Sequence, residues 1–211
     1  MDTLYVGDVH GCADELQDLL QRAPDAKVVL LGDLFTRGPD PLGVWRLIQD
    51  RRCETILGNH DARVIQRWRE DPAKLRATPV SALMDEAPEA LAYLEAAPVF
   101  RFDEGLISVH AGVHPQLGPA GTPKHMAIHL RRFPDDRQVD NPFWYDAGWT
   151  GPLVVFGHDA MRGLVRRYHE GRPTALGLDT ACVYGGALTG WLREEDRLIS
   201  VKARRAYCPV G

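Results

Sequence analysis

The chain has 211 residues, 45% apolar and 26% charged, enough to bury one full hydrophobic core, so a single domain over 1–211 is expected. A formal net charge of −4 argues against a dedicated nucleic-acid or membrane-surface binder, because no surplus of Lys and Arg is present to neutralise phosphates. No apolar run approaches the ~20 residues that cross a bilayer, and the first residues, Met1-Asp2-Thr3-Leu4-Tyr5, lack the basic flank and cleavage site of a signal peptide.

Leu4 to Val6 reads as a short strand running into Gly7-Asp8-Val9-His10-Gly11. Ala13 to Arg22 reads as a helix: Leu16, Leu19 and Leu20 recur at helical spacing, and Asp14, Glu15 and Asp18 are expected to face water. Val28 to Leu31 is a second strand, ending at Gly32-Asp33-Leu34-Phe35-Thr36-Arg37-Gly38-Pro39-Asp40. Pro41 to Arg51 is a helix with proline suited to its first turn and Leu42, Trp45, Leu47 and Ile48 as its apolar stripe. Glu54 to Leu57 is a third strand, ending at Gly58-Asn59-His60-Asp61, and Ala62 to Glu70 is helical. This β-α-β-α-β-α order implies a parallel sheet with right-handed crossovers.

Val80 to Met84 and Ala87 to Ala96 read as two helices that carry no evident chemistry. Pro98 to Phe102 and Leu106 to Val109 form a hairpin across Asp103-Glu104-Gly105, and the second strand ends at His110-Ala111-Gly112. The 115–151 stretch is irregular, with one short helix from Lys124 to Arg132. Leu153 to Phe156 is a buried-type strand ending at Gly157-His158-Asp159. Strands at Leu164 to His169, Thr174 to Leu178, Leu188 to Arg193 and Leu198 to Val201 make the second half β-rich. Cys12, Cys53, Cys182 and Cys208 show no C-x-x-C spacing, which favours buried thiols in a reducing cytoplasm over structural zinc or disulfides.

Five strands thus end in the same kind of polar signature, and strand carboxyl ends carry the chemistry of such sheets. The convergent set is Asp8, His10, Asp33, Asn59, His110 and His158. Carboxylates, imidazoles and an amide, without a thiolate, suit divalent ions such as Mn²⁺, Fe²⁺ or Zn²⁺. Six ligands with Asp33 shared fit two ions ~3.5–4 Å apart, which can bind a phosphate through two oxygens and hold a hydroxide in line for attack. His60 directly follows Asn59 at the head of a helix, placed to act as general acid toward the leaving-group oxygen. Arg37 suits the non-bridging phosphate oxygens, being planar and permanently charged. His114, His125, His129 and His169 read as solvated or structural.

These motifs resemble those of the phosphoprotein phosphatase superfamily of dinuclear, calcineurin-like metallophosphoesterases, whose pattern runs GDxHG, GDxxDRG, GNH[ED], HAG and a late GH. The chain has GDVHG, GDLFTRG, GNHD, VHAG and FGH in that order, from Gly7 to His158. The resemblance implies a four-layer α/β fold, with a central β-sandwich flanked by helices. It implies that Asp8, His10 and Asp33 hold one ion and Asp33, Asn59, His110 and His158 the other. His60 is implied as proton donor, and Arg37, Asn59 and His60 as phosphate contacts. Mn²⁺ is the expected ion, with Fe, Co, Ni or Zn as alternatives.

Thr36 departs from this pattern. Ser/Thr protein phosphatases usually carry an Asp there that orients the catalytic histidine, and a hydroxyl cannot supply its charge. The symmetrical diadenosine tetraphosphatases also often lack that Asp and read GDL-x-x-RGP. The stretches His110 to Gln116 and Gly177 to Thr189 are similar to their HAG-x-x-PQ and LDTGCVWGG-x-LT. The sequence therefore reads as a cytoplasmic phosphohydrolase whose substrate is a dinucleoside polyphosphate, diadenosine tetraphosphate giving two ADP. The runner-up is a Ser/Thr or broad protein phosphatase acting on a phosphoprotein, and a non-catalytic binding protein is a remote third. Arg131, Arg132 and Arg137 stand as candidates for a second phosphate-binding arginine. Tyr184 is either a stacking residue or a core tyrosine. What orients His60 is open; Asp61 is the adjacent carboxylate.

Overall fold

The structure, a computed structural model, describes residues 2–134 and 136–209. Two five-stranded mixed sheets form it. The first runs in the order β10-β9-β1-β2-β3, from Arg197–Lys202, Ala187–Leu192, Thr3–Val6, Lys27–Leu30 and Glu54–Thr55. The second runs β4-β5-β6-β8-β7, from Phe100–Asp103, Leu106–Val109, Leu153–Phe156, Arg172–Gly177 and Val165–His169. The expected parallel β1-β2-β3 core is present, and β9 extends it antiparallel to β1. In the second sheet β5, β6 and β8 are parallel, while β4 and β7 flank them antiparallel.

Strand alternation builds the layers, because successive side chains of a strand point to opposite faces. Tyr5, Val29, Leu31 and Ile56 of the first half pack against Leu106, Val155, Leu176 and Leu178 of the second, so these residues fill the sandwich interior. Their neighbours Leu4, Val6, Val28 and Leu30 face outward onto Leu16, Leu19 and Leu20 of α1 (Ala13–Gln21) and Val44, Trp45 and Ile48 of α2 (Pro41–Arg51). On the far side Val109, Val154 and Phe156 pack under Val113, Leu130, Trp144 and Trp149 of the irregular segment.

Several elements differ in extent from the sequence expectation, each for a visible reason. Strand β3 stops at Thr55 because Ile56 is the last residue to bond to β2, and Leu57 N–H turns to Pro98 O at 2.8 Å. Helix α3 spans Asn59–Glu70, starting three residues early: the Asp61 carboxylate accepts the Gly58 N–H at 3.2 Å and so closes its first turn. The two helices expected at Val80 to Met84 and Ala87 to Ala96 are present as α5 (Ser81–Glu86) and α6 (Glu89–Ala96), and a further short helix, α4 (Pro72–Arg76), with proline in its first turn, precedes them. The expected Lys124 to Arg132 helix is one turn, α7 (Lys124–Ala127). The Ala127 carbonyl is taken by the N–H groups of Ala111 and Gly112, and Asp136 accepts from the N–H groups of Arg131 and Arg132.

Glu15 does not face water. It is fully buried, with Oε1 accepting from the Tyr207 hydroxyl at 2.7 Å and the Arg204 N–H at 2.9 Å. The C-terminal segment packs over a helix face that periodicity alone assigns to solvent. Cys12 and Cys182 meet beside Glu15, and all four cysteines are free thiols. Among the described residues no helix is long and apolar enough to cross a membrane.

Trp144 is fully buried against Tyr145 and Phe156, and its Nε1–H donates to Ala111 O at 3.0 Å, next to His110. Trp144→Ala is expected to cost about 3–5 kcal/mol, read as a fall in the urea midpoint at unchanged m-value.

Candidate active site

The carboxyl ends of six strands converge where the two sheets meet. From the first sheet come Asp8 and His10 after β1, Asp33 and Arg37 after β2, and Asn59 and His60 after β3. From the second come His110 after β5, His158 after β6 and Asp179 after β8. Asp33 lies between the halves. Its Oδ2 is 3.6 Å from His10 Nε2 and 3.5 Å from His110 Nε2, and its Oδ1 accepts the His60 N–H at 2.8 Å. On one side, His10 Nε2 also lies 3.8 Å from Asp8 Oδ2. On the other, Asn59 Oδ1 lies 2.9 Å from His110 Nε2 and 3.1 Å from His158 Nδ1.

Each histidine has one nitrogen turned to this centre and the other secured outside it. His110 Nδ1 donates to Leu31 O at 2.7 Å, His158 Nε2 to His129 O at 3.1 Å, and His10 Nδ1 faces the Thr36 hydroxyl at 3.2 Å. Such outside partners fix ring orientation and tautomer in metal sites. Asp8, Asp33 and His110 offer donor atoms within 4.8 Å of one another. Oxygen and imidazole donors so arranged fit divalent ions of the Mn²⁺, Fe²⁺ and Zn²⁺ type.

The backbone is strained to make this arrangement. His10, Asp33, Arg37 and His158 adopt φ of 48°, 56°, 72° and 72°, a left-handed region that costs a non-glycine residue free energy. Four of the eight such residues among those described are at this one place. Two glycines are required by close approach: a Cβ at Gly58 would overlap Asp33 Oδ1, and one at Gly157 would overlap Asp8 Oδ1.

Asp61 does not orient His60. It is fully buried and accepts the N–H groups of Asp33 at 2.7 Å and Leu34 at 2.9 Å, so it anchors the Asp33 turn. Thr36 is the group at His60 Nδ1, 3.0 Å away. Arg37 reaches His60 Nε2 at 3.2 Å and hydrogen-bonds the Tyr184 hydroxyl. Tyr184 is half-buried beside the site. Of the three arginine candidates, Arg131 lines the cavity, Arg132 stacks over Phe143, and Arg137 is exposed. The cavity over the centre measures about 410 Å³; His60, Arg37, Arg131, Met161 and Tyr184 line its walls.

Asp179 was not singled out from the sequence. It is buried, lines the cavity and is a near carboxylate neighbour of Asp8. Its position follows from the sheet: β8 runs parallel to β6, so the residues after Gly177 arrive at the same edge, a placement visible only in the fold.

Electrostatics separate the groups. Burial, then the neighbouring Asp179 carboxylate, pushes Asp8 well above the usual range. Burial likewise raises Asp179 to about 6 and Asp61 to about 7. Burial opposes charge on Asp33, yet His110 and His10 hold its carboxyl well below the usual range. Burial alone would lower His110; Asp33 and Asp8 outweigh it and push it up to about 10. Burial lowers His10 to about 3 and also lowers His60 and His158.

Residues 1–182 match the family model of the calcineurin-like phosphoesterases. The chain belongs to this family. It is therefore a metallophosphoesterase, a metal-dependent hydrolase. Over 99% of its length it is 28% identical to 99% of a protein from Janthinobacterium sp. (strain Marseille) named symmetrical bis(5'-nucleosyl)-tetraphosphatase. An Edwardsiella ictaluri (strain 93-146) protein of the same name is 30% identical, with 98% of each chain covered. A crystal structure assigned to a diadenosine tetraphosphatase superposes with a TM-score of 0.81 at 30% identity, covering 96% of this chain and 93% of that one. The Janthinobacterium alignment runs over 277 positions against 211 residues here, so that relative carries insertions this chain lacks.

Ions entering this site compete with the proton that Asp33 and Asp8 favour on His110. Affinity for Mn²⁺ is expected to rise with pH from about 6 to about 9, with net proton release in calorimetry across buffers of different ionisation enthalpy. A pH-independent affinity would contradict this.

Proposed function

We propose that the protein cleaves symmetrical dinucleoside tetraphosphates, diadenosine tetraphosphate giving two ADP. The observation that carries this reading is the match, over nearly the whole chain, to relatives whose name states that substrate class. The site is consistent with it. An anionic phosphate chain meets Arg37 and Arg131 at the cavity wall, and Tyr184 offers a ring beside them.

In this reading Asp8, His10 and Asp33 hold one divalent ion, and Asp33, Asn59, His110 and His158 hold the second. Mn²⁺ is the proposed native ion, one of the Mn²⁺, Fe²⁺ and Zn²⁺ group that the donor set fits. When bound, such ions polarise the phosphoryl oxygens and make water a competent nucleophile at neutral pH. Arg37 binds non-bridging phosphate oxygens, with Asn59 and His60 beside it. His60 presents its Nε2 proton to the leaving phosphate oxygen. The free thiols fit a reducing compartment, so the cytoplasm is the proposed location, and 1–211 is read as one domain.

Product analysis tests the substrate. With Mn²⁺, diadenosine tetraphosphate is expected to yield two ADP far faster than a phosphoserine peptide loses phosphate; the reverse ranking would sink the proposal in favour of a protein phosphatase. His60→Asn is expected to lower turnover by about 10²–10⁴-fold while metal content, read by elemental analysis, stays at the wild-type level.

A further inference from the structure

We propose that Thr36 is the positioning residue of His60: its hydroxyl accepts from His10 Nδ1–H and donates to His60 Nδ1, fixing the tautomer that carries its proton on Nε2. This rests on the reading of His10 as a metal ligand and His60 as the proton donor.

Thr36 Oγ1 lies 3.2 Å from His10 Nδ1 and 3.0 Å from His60 Nδ1. The two rings stand edge-on, 5.0 Å apart at 88°, with this one oxygen bridging their Nδ1 atoms. A hydroxyl has one proton to give and two lone pairs to receive with, whereas a carboxylate can only receive. His10 turns Nε2 toward the Asp8 and Asp33 carboxylates. An ion held there takes that lone pair, so a neutral His10 keeps its proton on Nδ1 and donates it to Thr36. The Thr36 proton is then available for His60 Nδ1. A neutral imidazole that accepts at Nδ1 carries its proton on Nε2.

Arg37 sets the condition. Its Nη2 is 3.2 Å from His60 Nε2, and a guanidinium only donates. While it stays there, Nε2 is bare and both rings donate into the two lone pairs of Thr36. Arg37 is exposed, so it can turn to a phosphate oxygen without disturbing the core. Nε2 is then released. The ring gives its Nδ1 proton to solvent and takes one at Nε2, with no net change in protons, while Thr36 rotates its own proton onto Nδ1. A carboxylate at position 36 would instead favour the charged imidazolium. A neutral imidazole keeps its Nε2 proton and offers it as a hydrogen bond, so this arrangement suits leaving groups that need little protonation, such as the terminal oxygen of a nucleoside diphosphate, better than an alkoxide.

The test uses protein loaded with diamagnetic Zn²⁺, ¹⁵N-labelled at histidine, with inorganic phosphate bound. Long-range ¹H–¹⁵N correlations, with His60 assigned by its loss in His60→Gln, are expected to show a protonated Nε2 and a bare Nδ1. Thr36→Val is expected to abolish that preference and Thr36→Ser to restore it. In turnover, Thr36→Val should lose about tenfold more rate on phenyl phosphate than on 4-nitrophenyl phosphate, whose leaving group needs less protonation; Thr36→Ser should recover it. A protonated Nδ1 on His60 in the phosphate-loaded wild type would overturn the proposal. So would a Val variant that slows both esters equally with its tautomer unchanged, since Thr36 would then only fill space. The NMR result does not depend on which phosphate the enzyme cleaves, so it stands or falls separately from the tetraphosphatase reading.

Discussion

A buried carboxylate is the constraint around which this protein is arranged. Asp33 is almost fully enclosed, and a charge taken out of water is tolerated only when partners surround it. Its partners come from three separate stretches: the His10 ring, the His60 backbone N–H and the His110 ring. Satisfying it therefore requires both sheets to deliver their strand ends to one place. The left-handed turns at His10, Asp33 and His158, and the missing side chains at Gly58 and Gly157, are the local adjustments that make this approach close enough.

The same enclosure sorts the surrounding groups by charge. Burial raises Asp8 and Asp179, the neighbouring carboxylates raise His110, and His110 and His10 hold Asp33 well below the usual carboxylate range. Thr36 introduces no charge into this set. A carboxylate there would have added a further anion beside His10 and His60, whereas a hydroxyl links the two rings and leaves the balance untouched.

Much of the fold was legible because strand alternation and turn chemistry are local. The sequence Leu4-Tyr5-Val6 already separates a helix-facing pair from a sandwich-facing ring, and the glycine-flanked polar ends mark where chains must turn. The site residues named from those ends all lie together. What escaped was set by distant contacts. Glu15 falls on the water side of its helix by periodicity, and only Tyr207 and Arg204, almost two hundred residues later, bury it. The helix at Lys124 ends early because the Ala111 loop captures its carbonyl. Asp179 follows a strand whose place beside β6 no local pattern encodes. The role of Asp61 was equally hidden: adjacency to His60 suggested one partner, and the backbone of another loop supplied it.

The convergence of strand ends from two different sheets has a mechanical side. Asp8, His10, Asp33 and Asn59 belong to one half of the sandwich, His110 and His158 to the other. Ions shared between them would act as a clasp across the seam, fastening two layers that are otherwise joined there by side-chain packing. Anything that binds the folded state alone raises its apparent stability in proportion to the logarithm of its concentration. Heat resistance in this protein would then report on ion supply as directly as turnover does, and starvation for the ion would loosen the molecule along the same line where it works.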